Sequence, residues 1–286
     1  MDTTFDVSFT GLCINDLTIN RVAFTVFGVE VYWYGLLIAS AVILSLLLSY
    51  RAAPKYGIKP DHVLDTMIGI VPMMIIFARL YYVIFEWDEF RDKPLSIFNL
   101  RTGGLGFYGG VIGGIIAVLI VTKIRRFSLS RMMDLLVVYI PLGQGIGRWG
   151  NFFNQEAFGY NTDLPWGMYS DGTYSYLLRA GIGDPSLPVH PTFLYEFLAN
   201  MVIFAILVFV RRKSVRPYVT TAWYMLLYGL VRFFVESLRT DSLYILNTGL
   251  RASMVLSAVM VIGAATYIII MQTRPVVPDK AGRIAN

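Results

Sequence analysis

The segment GQGIGRWGNFFNQE, residues 143–156, places charged and amide side chains directly after the apolar run MMDLLVVYIPL. Arg148 and Asn151 are three positions apart, so they share one face wherever a helical turn persists. An arginine beside amides and Glu156 is suited to paired hydrogen bonding with a phosphate group. In the alternative interpretation, Arg148 only extends toward the membrane surface, and Asn151 and Asn154 only cap the end of a helix.

A second group of polar residues recurs at helical spacing in the segment YGLVRFFVESLRTD. Tyr228, Arg232, Glu236 and Arg239 are separated by four, four and three positions, which places them on one helical face. Because this face holds two arginines and one glutamate, it predicts positive charge that remains for an anion. An internal ion pair between Arg232 and Glu236 is the alternative.

Two shorter motifs carry tyrosines. RTGGLGFYGGVIGG contains Tyr108 among glycines, and Gly110 with Gly114 predicts a close helix-packing face. VYWYGLL contains Tyr34 at the beginning of an apolar run. The alternative for Tyr108 is membership of the belt of aromatic residues that marks a membrane surface.

Two basic residues near the ends of apolar runs have two interpretations each. Arg79, in FARLYYVIFE, lies within an apolar run, where an arginine is costly unless it is paired or hydrated. It is either functional or pairs with Glu196 or another acid. His190, in HPTFLYE, either contributes to the same site or only caps a helix.

The elements that position these residues are apolar segments long enough to cross a membrane. Of the 286 residues, 56% are hydrophobic and only 15% are charged, a balance far from that of soluble domains. A helix needs about 20 apolar residues to span roughly 30 Å of hydrocarbon. The sequence therefore predicts an all-α integral membrane protein with a single membrane domain, 1–286. Seven spans are predicted, at about 31–50, 63–85, 108–122, 132–147, 193–210, 221–238 and 252–271.

The fourth predicted span is irregular. Pro141 and the glycines that follow it weaken helical hydrogen bonding, so we expect this helix to break near its outer end. The connection that follows, at about 151–191, is rich in Gly, Pro, Asp and Tyr. We expect it to form a compact, ordered extracytoplasmic head with turns.

Lysine and arginine counts orient the predicted spans. One set of connections, which includes the C-terminal tail, holds 14 of these residues, and the opposite set holds seven. Because basic residues favour the cytoplasmic side, we expect the N-terminus outside and the C-terminus in the cytoplasm. The net charge of +5 is then explained by anchoring on anionic lipid, with no nucleic-acid partner. The acidic N-terminal sequence MDTTFDVSF is unlike a cleavable signal peptide, so we expect the first span to remain.

Composition also limits the chemistry. The chain has one cysteine, Cys13, and two histidines, His62 and His190, so we expect neither an internal disulfide nor a Cys/His metal site. The polar candidates gather on the outer side, which indicates a site for an anionic lipid headgroup. A lipid transporter or flippase and a structural scaffold are the alternatives. The transporter is less favoured because the two halves of the chain show no repeat.

Four motifs connect the chain to a known family. GRWGNFFNQEAFG resembles the signature of the prolipoprotein diacylglyceryl transferase family, commonly G-R-x-G-N-F-x-N-x-E followed by a glycine. YGLVRFFVESLR resembles that family's later Y-x-x-x-R-x-x-x-E motif, and HPTFLYE and VYWYGLL are similar to two of its lesser motifs. The resemblance runs in order from about Val31 to Arg239 and implies seven spans with an outside N-terminus.

The resemblance implies an enzyme of the bacterial cytoplasmic (inner) membrane, with its active site near the outer leaflet. Such an enzyme transfers the diacylglyceryl group of phosphatidylglycerol to the lipobox cysteine thiol of a prolipoprotein, forming a thioether and releasing glycerol phosphate. This is the first step of bacterial lipoprotein maturation. The implied partners are phosphatidylglycerol, the prolipoprotein signal peptide with its lipobox cysteine and the lipid bilayer, and no cofactor is implied. The reacting thiol belongs to the substrate.

The resemblance also implies roles for individual residues. Arg148 would bind the phosphate of phosphatidylglycerol, Gly159 would leave room for the backbone, and Arg232 would be the second essential arginine. The residues expected to bind phosphatidylglycerol are Arg148, Asn151, Asn154, Gly159, Tyr228, Tyr34 and Arg239. The residues expected to be catalytic are Arg232, Tyr108, Glu236 and Glu156.

The chain departs from the family pattern at Tyr108. The family's glycine-rich motif often reads H-G-G, with the histidine as a base, whereas this chain has a tyrosine before the two glycines. A tyrosine, with an ordinary pKa of about 10, is a poor base near neutral pH unless neighbouring cations lower its pKa. If the neighbouring arginines ionise it, Tyr108 is the first candidate for the proton acceptor, and Glu236 or Glu156 is the second.

Overall fold

The computed structural model describes residues 3–99, 103–213, 216–245 and 248–274. The chain divides into two compact units. Met1–Ser45 and Val137–Ala285 form the first unit, and Leu46–Leu136 forms the second.

Most of the described residues are helical. The helices are α1 Trp33–Ala52, α2 Pro60–Phe85, α3 Trp87–Phe90, α4 Phe107–Arg125, α5 Leu129–Leu136, α6 Ile140–Asn154, α7 Asp171–Ala180, α8 Thr192–Lys213, α9 Val219–Leu238 and α10 Ala252–Thr273. Among the described residues, five helices are long and apolar enough to cross a membrane, namely α1 with its extension to Tyr56, α2, α4, α8 and α10. The chain is therefore a multi-pass, mostly helical membrane protein.

α1 itself and the other four helices begin and end within about three residues of five of the predicted spans, although the extension of α1 to Tyr56 passes the predicted end by six residues. The sixth predicted span, 221–238, is present as α9 but is not one of the five. Its threonines, Arg232 and Glu236 make it less apolar than the others. A total of seven crossing helices stays a prediction.

The prediction of where the fourth span breaks was wrong. The helix is interrupted at 137–139, between α5 and α6, and α6 then continues through all of its glycines. Pro141 lies in the first turn of α6, where a missing N–H costs no helical hydrogen bond. The glycines instead make room for neighbours. A Cβ on Gly150 would lie 2.6 Å from Cδ2 of Tyr34, and one on Gly145 would lie 2.7 Å from Cε of Met201.

The N-terminal residues form strands, which the sequence did not predict. These strands are β1 Thr4–Phe9, β2 Ile14–Asn20, β3 Val22–Val26 and β4 Val29–Tyr32. β1 pairs antiparallel with β2 and also with β5, Tyr169–Ser170, inside the long 151–191 connection. Cys13, in the turn between β1 and β2, is exposed. The N-terminal strands thus belong to two small sheets, one with β1, β2 and β5 and one with β3 and β4.

The sheet and the long connection share a hydrophobic core within the first unit. α7 follows β5, and its first turn is fixed by a capping box in which Ser170 and Thr173 each accept a backbone N–H of the other. The buried members of the core are Val7, Phe9, Ile19, Phe152, Phe158, Met168, Leu177, Val189 and Phe193. The long connection is therefore compact and ordered, as predicted, whereas its position outside the cytoplasm stays a prediction.

The second unit is built on close packing of α2 against α4. Gly109 and Gly113 form the contact, because a Cβ on Gly113 would lie 2.8 Å from Cβ of Phe77 and one on Gly109 would lie 2.9 Å from Cα of Ala78. The predicted pair, Gly110 and Gly114, also faces α2, because a Cβ on Gly110 would lie 3.8 Å from Cβ of Ala78 and one on Gly114 would lie 3.5 Å from Cγ of Met74. Gly109 and Gly113 make the closer approach, and since both pairs have the same spacing, the sequence does not distinguish which pair does so.

Candidate active site

Glu196 is the centre of the polar cluster in the first unit. Its side chain, in the second turn of α8, is only 3% exposed. Three guanidinium groups lie around the carboxylate. Nη2 of Arg148 lies 2.6 Å from Oε2, and Nη1 of Arg232 and of Arg239 lie 3.4 and 3.6 Å from Oε1. Burying a carboxylate costs free energy unless it is paired, so the three arginines stabilise the ionised side chain of Glu196.

Arg148 connects Glu196 to the amide residues at the end of α6. Its Nη1 donates to Oδ1 of Asn151 at 3.3 Å. Nδ2 of Asn151 and Nδ2 of Asn154 then donate to Oε1 of Glu156 at 2.9 and 3.2 Å. The sequence interpretation grouped these four residues, and the structure brings them together.

The turn that closes α6 explains how Glu156 reaches back to the asparagines. Gln155 has a positive φ of 52°, which is the left-handed conformation common after the last residue of a helix. The backbone N–H of Glu156 then donates to the carbonyl of Asn151 at 3.1 Å. The chain therefore reverses at the end of α6, and the Glu156 carboxylate faces the side chains that precede it.

Arg232 and Glu236 form the ion pair that their spacing on α9 predicted. Nη2 of Arg232 lies 2.5 Å from Oε2 of Glu236, whose side chain is 2% exposed. Arg251, the residue before α10, donates from Nη1 to the backbone carbonyl of Glu236. Arg232 thus contacts two carboxylates, one on its own helix and one on α8.

Arg239 is held mainly by Asp241. Its Nε and Nη2 donate to Oδ1 and Oδ2 of Asp241 at 2.9 and 2.7 Å, a bidentate pair. Burial opposes the charge of Asp241, but the hydrogen bonds and charge of Arg239 outweigh it, so the pKa of Asp241 is below its ordinary value. The α9 face was expected to keep positive charge for an anion. For Arg239 this expectation was wrong, because its guanidinium group is paired with Asp241. Sequence reasoning paired this arginine only with residues on its own helix.

Unsatisfied donors remain in the cluster even though its ion pairs are balanced. The ion pairs join Arg148, Arg232 and Arg239 to Glu196, Glu236 and Asp241. Within 3–99, 103–213, 216–245 and 248–274, Nε of Arg148 and Nε of Arg232 have no acceptor. Across the same ranges Arg251 forms no ion pair. The cluster therefore keeps guanidinium N–H groups for a further acceptor.

Gly159 fixes the relative positions of the helix ends. Its N–H donates to the carbonyl of His190 at 2.9 Å, just before α8, and it forms a β-bridge with Arg239 just after α9. A Cβ on Gly159 would lie 2.7 Å from Cβ of His190 and 2.8 Å from the carbonyl oxygen of Leu238. Backbone clearance at Gly159 therefore brings the ends of α8 and α9 together and, with them, Glu196 and Arg239.

The two tyrosines of the predicted site pack against different parts of the first unit. The ring of Tyr34 lies against Gly150 of α6, and its side chain is partly exposed. Tyr228 lies one turn before Arg232, and its ring stacks on Tyr224 with centroids 5.5 Å apart. Tyr34 lies on α1 and Tyr228 on α9, and neither makes a hydrogen bond to the cluster within the described part of the chain.

His190 makes a separate aromatic hydrogen-bond network. Its Nδ1 lies 3.1 Å from the hydroxyl of Tyr195, which also accepts a hydrogen bond from Nε1 of Trp166 at 2.8 Å. Burial lowers the pKa of His190, which favours its neutral form. Its contacts thus attach the segment before α8 to the head.

The other two sequence candidates belong to the second unit. Tyr108 lies at the beginning of α4, with its ring centroid 6.2 Å from that of Tyr81. Arg79 does not pair with an acid in the described residues. Each of its five N–H groups donates at 2.8–3.1 Å to a backbone carbonyl, those of Ser96, Ile97, Asn99, Gly103 and Gly104. The arginine cluster is built from the first unit alone.

Sequence reasoning considered Glu196 as a possible partner of Arg79 but not as the centre of the cluster, and it missed Asp241 and Arg251. Glu196 had a usable signal, since an acid inside an otherwise apolar helix needs a cation. Asp241 and Arg251 had none, because each lies in a connection where a charged residue is ordinary.

Comparisons with known proteins agree with the motifs. A family model described as prolipoprotein diacylglyceryl transferase matches residues 21–270. A phosphatidylglycerol–prolipoprotein diacylglyceryl transferase of Clostridioides difficile (strain 630) is 43% identical over 244 residues, which cover 85% of this chain and 92% of that protein. Proteins of the same name from Finegoldia magna and Enterococcus faecalis are 42% and 38% identical, covering 85% and 90% of this chain and 92% of each relative. The chain belongs to the prolipoprotein diacylglyceryl transferase family.

Proposed function

We propose that this chain transfers the diacylglyceryl group of phosphatidylglycerol to the lipobox cysteine thiol of a prolipoprotein, the first step of bacterial lipoprotein maturation. The names of the relatives supply the lipid, the protein substrate and the transferred group. One observation in the structure supports placing this activity at the arginine cluster. Arg148 and Arg232 contact the two oxygens of a single carboxylate, Glu196, and both keep an N–H without an acceptor in the described residues.

The phosphate of phosphatidylglycerol is the group that these arginines bind in this proposal. Guanidinium groups bind phosphate oxygens through paired hydrogen bonds, and they carry their charge at every accessible pH. Because Arg148 and Arg232 share Glu196, both are within reach of one phosphodiester. Residues around them complete the proposed lipid site, namely Asn151, Asn154, Gly159, Tyr228, Tyr34 and Arg239.

The proposed reaction is a displacement at the glycerol carbon. The thiolate sulfur of the substrate forms a bond to this carbon, the carbon–oxygen bond to phosphate breaks, and glycerol phosphate leaves with the electron pair. Arg232, assisted by Arg148, stabilises the charge that develops on the departing phosphate. Donors aimed at developing charge contribute roughly 3–4 kcal/mol each, or about 10²–10³ in rate.

The thiol proton needs an acceptor. A thiol with an ordinary pKa of about 8.5 is only a few per cent ionised at pH 7, so the positive cluster also favours the reactive thiolate. Tyr108 is the first proposed acceptor from its motif position, and Glu236 and Glu156 are the second. Of the two acids, Glu156 is the better placed. It is exposed and, within the described residues, its carboxylate accepts from the amides of Asn151 and Asn154 alone, whereas Glu236 is buried against Arg232.

We place the site near the outer leaflet of the cytoplasmic (inner) membrane. α8 supports this position, because Arg211, Arg212 and Lys213 lie at one end and Glu196 lies close to the other. The positive-inside preference puts the basic end in the cytoplasm. The proposal includes seven spans within one membrane domain, with α9 and the α5–α6 pair added to the five apolar helices. It also places the N-terminus and the 151–191 head outside and the C-terminus in the cytoplasm.

Reconstitution tests the activity directly. The purified chain is placed in vesicles that contain phosphatidylglycerol and is given a peptide with a lipobox cysteine. We expect the peptide mass to rise by one diacylglyceryl unit and Arg232→Ala to abolish this change. Arg91→Ala is the matched control, because the Arg91 side chain is exposed and, among the described residues, its one ion pair is with Asp88 at 3.8 Å.

Other outcomes of this assay would contradict the proposal. Lipid translocation without a gain in peptide mass would indicate a flippase, and unchanged activity after replacement of both Arg148 and Arg232 by Gln would indicate a scaffold. The proton acceptor is tested separately. If Tyr108→Phe keeps full transfer while Glu156→Gln loses it, the tyrosine is not the base and the electrostatic part of the mechanism stands.

A further inference from the structure

The β3–β4 hairpin presents apolar side chains that nothing in the described residues covers. Phe24, Val26 and Val29 are each between 44% and 66% exposed, and Phe27 at the tip is fully exposed. These residues belong to neither of the hydrophobic core clusters of the first unit. Among the described strands, β3 and β4 pair only with each other and form a two-stranded sheet of their own.

The hairpin is amphipathic. Val26 pairs with Val29 and Phe24 pairs with Val31, whereas Thr25 pairs with Glu30 between them. Since successive residues of a strand point to opposite faces, one face is apolar and the other is polar. An amphipathic ribbon with one uncovered apolar face fits a boundary between water and a nonpolar medium.

The tip of the hairpin also carries an apolar residue that the turn does not require. The two-residue turn consists of Phe27 and Gly28, with φ of 49° and 79°. Turns of this kind favour Asn or Asp before Gly, because a bulky side chain is strained at positive φ. Phe27 therefore does not stabilise the turn, and its side chain does not pack against the described part of the chain. Its presence is explained if the tip lies in a nonpolar environment.

The position of the hairpin in the chain identifies that environment. β4 ends at Tyr32, and α1 begins at the next residue, Trp33. α1 is 20 residues long, about the length that the hydrocarbon core requires, so Trp33 lies at one membrane surface. A strand advances about 3.4 Å per residue, which keeps the whole hairpin within roughly 17 Å of that surface. The backbone N–H of Trp33 also donates to the carbonyl of Arg21 at 2.9 Å, which joins the base of the hairpin to the helix.

We propose that the β3–β4 hairpin is a membrane anchor whose apolar face, led by Phe27, inserts into the leaflet at the N-terminal end of α1. The apolar face contacts lipid, at the boundary between the acyl chains and the headgroups. Aromatic residues favour this zone of a bilayer. Insertion would fix the angle at which the N-terminal sheet meets the membrane, independently of the transfer reaction.

Depth-dependent quenching tests the anchor. Cys13→Ser removes the only cysteine, and a single cysteine is then placed at Val29 on the apolar face or at Thr25 on the polar face. Each full-length protein is labelled with an environment-sensitive fluorophore and reconstituted in vesicles of phosphatidylglycerol and phosphatidylcholine. Nitroxide-labelled lipid should lower the emission at position 29 about twofold or more relative to position 25.

The tip residue has its own variant. Phe27→Asn, added to the protein labelled at position 29, should reduce the quenching by lipid. In detergent its thermal midpoint should equal or exceed that of the parent, because Asn suits the turn.

Three results would overturn the anchor. Equal quenching at positions 25 and 29 would remove the amphipathic insertion. A nonpolar but unquenched label at position 29 would mean that a protein surface covers the face. A lowered thermal midpoint for Phe27→Asn in detergent would mean that Phe27 serves folding instead. None of these measurements depends on transfer activity.

Discussion

Two buried arginine sites in this chain use opposite kinds of acceptor. Arg79, in the second unit, is 6% exposed and gives all five of its N–H groups to backbone carbonyls. Arg148 and Arg232, in the first unit, are 21% and 17% exposed and share the carboxylate of Glu196. The first arrangement leaves no donor for a ligand, whereas the second does.

The difference teaches how to separate a structural arginine from a binding one. Five carbonyls satisfy Arg79 completely and hold the chain before α4 in place, with the ring of Phe90 4.9 Å from its guanidinium carbon. One shared carboxylate holds two guanidinium groups close together but satisfies each only in part. An arginine within an apolar span is a functional candidate by its position alone, and for Arg79 the acceptors show that it serves structure instead.

The largest expected effect is on stability, at the acceptor that the arginines share. Glu196→Gln keeps the shape of the side chain but leaves three guanidinium groups facing a neutral amide. Breaking a buried ion pair from one side costs about 3–5 kcal/mol, so the free energy of unfolding in detergent should fall by about that amount. Glu89→Gln is the control, because Glu89 is exposed and, in the part of the chain that the structure describes, its carboxylate bonds only to the hydroxyl of Tyr82. Equal unfolding curves for the two variants would remove Glu196 from the centre of the cluster.

The next effect is on catalysis, and it contrasts the two arginine sites directly. Lysine keeps the charge of arginine but loses the planar pair of donors. We expect Arg232→Lys to lower the rate of diacylglyceryl transfer about 10²-fold or more, since it removes donors aimed at the leaving phosphate. Arg79→Lys should leave the rate within a few-fold of the parent. Similar losses in both variants would show that Arg79 belongs to the reaction as well.

Arg79→Lys should nevertheless lower stability. An ammonium group has three N–H donors, so at least two of the five carbonyls around Arg79 lose their partner. The free energy of unfolding should fall by about 2–4 kcal/mol. Hydrogen exchange should rise at the backbone amides of 94–99, while the amides of α8 stay protected. Faster exchange throughout the chain would mean that the loss is not local.

The smallest expected effect is a pH dependence at Asp241. Its folded pKa lies below its ordinary value, so it stabilises the fold above pH 4 and this contribution is lost as the pH falls through the folded pKa. The stability difference between the parent and Asp241→Asn should therefore be constant near neutral pH and shrink in acid. Thermal midpoints in detergent across this pH range measure it. A difference that grows as the pH falls would contradict the Arg239–Asp241 pair.

Most of the helical framework was predictable because hydrophobic length is a local property. Five predicted spans match helices to within about three residues. The break in the fourth span was misplaced, because a proline within a run can either interrupt a helix or begin one. The pairing of β1 with Tyr169 and Ser170 escaped prediction because these residues lie more than 150 positions further along the chain.

The candidate site was predictable in part for the same reason. Arg232 with Glu236, and Arg148 with Asn151, are neighbours on one helix, so spacing alone paired them. Asp241 was missed although it lies two residues after Arg239, because a turn rather than a helix joins them.

The sequence by itself determined the membrane class, the helical segments, the family and the local polar pairs, because each depends on residues close together in the chain. Only the tertiary structure decided that Glu196 contacts three arginines and that Arg79 donates its N–H groups to backbone carbonyls. It also decided that Gly159 connects the ends of two helices. These outcomes depend on which acceptor lies within hydrogen-bonding distance of each charged group once the helices are packed. That choice is set by distances across the fold, which no local pattern encodes.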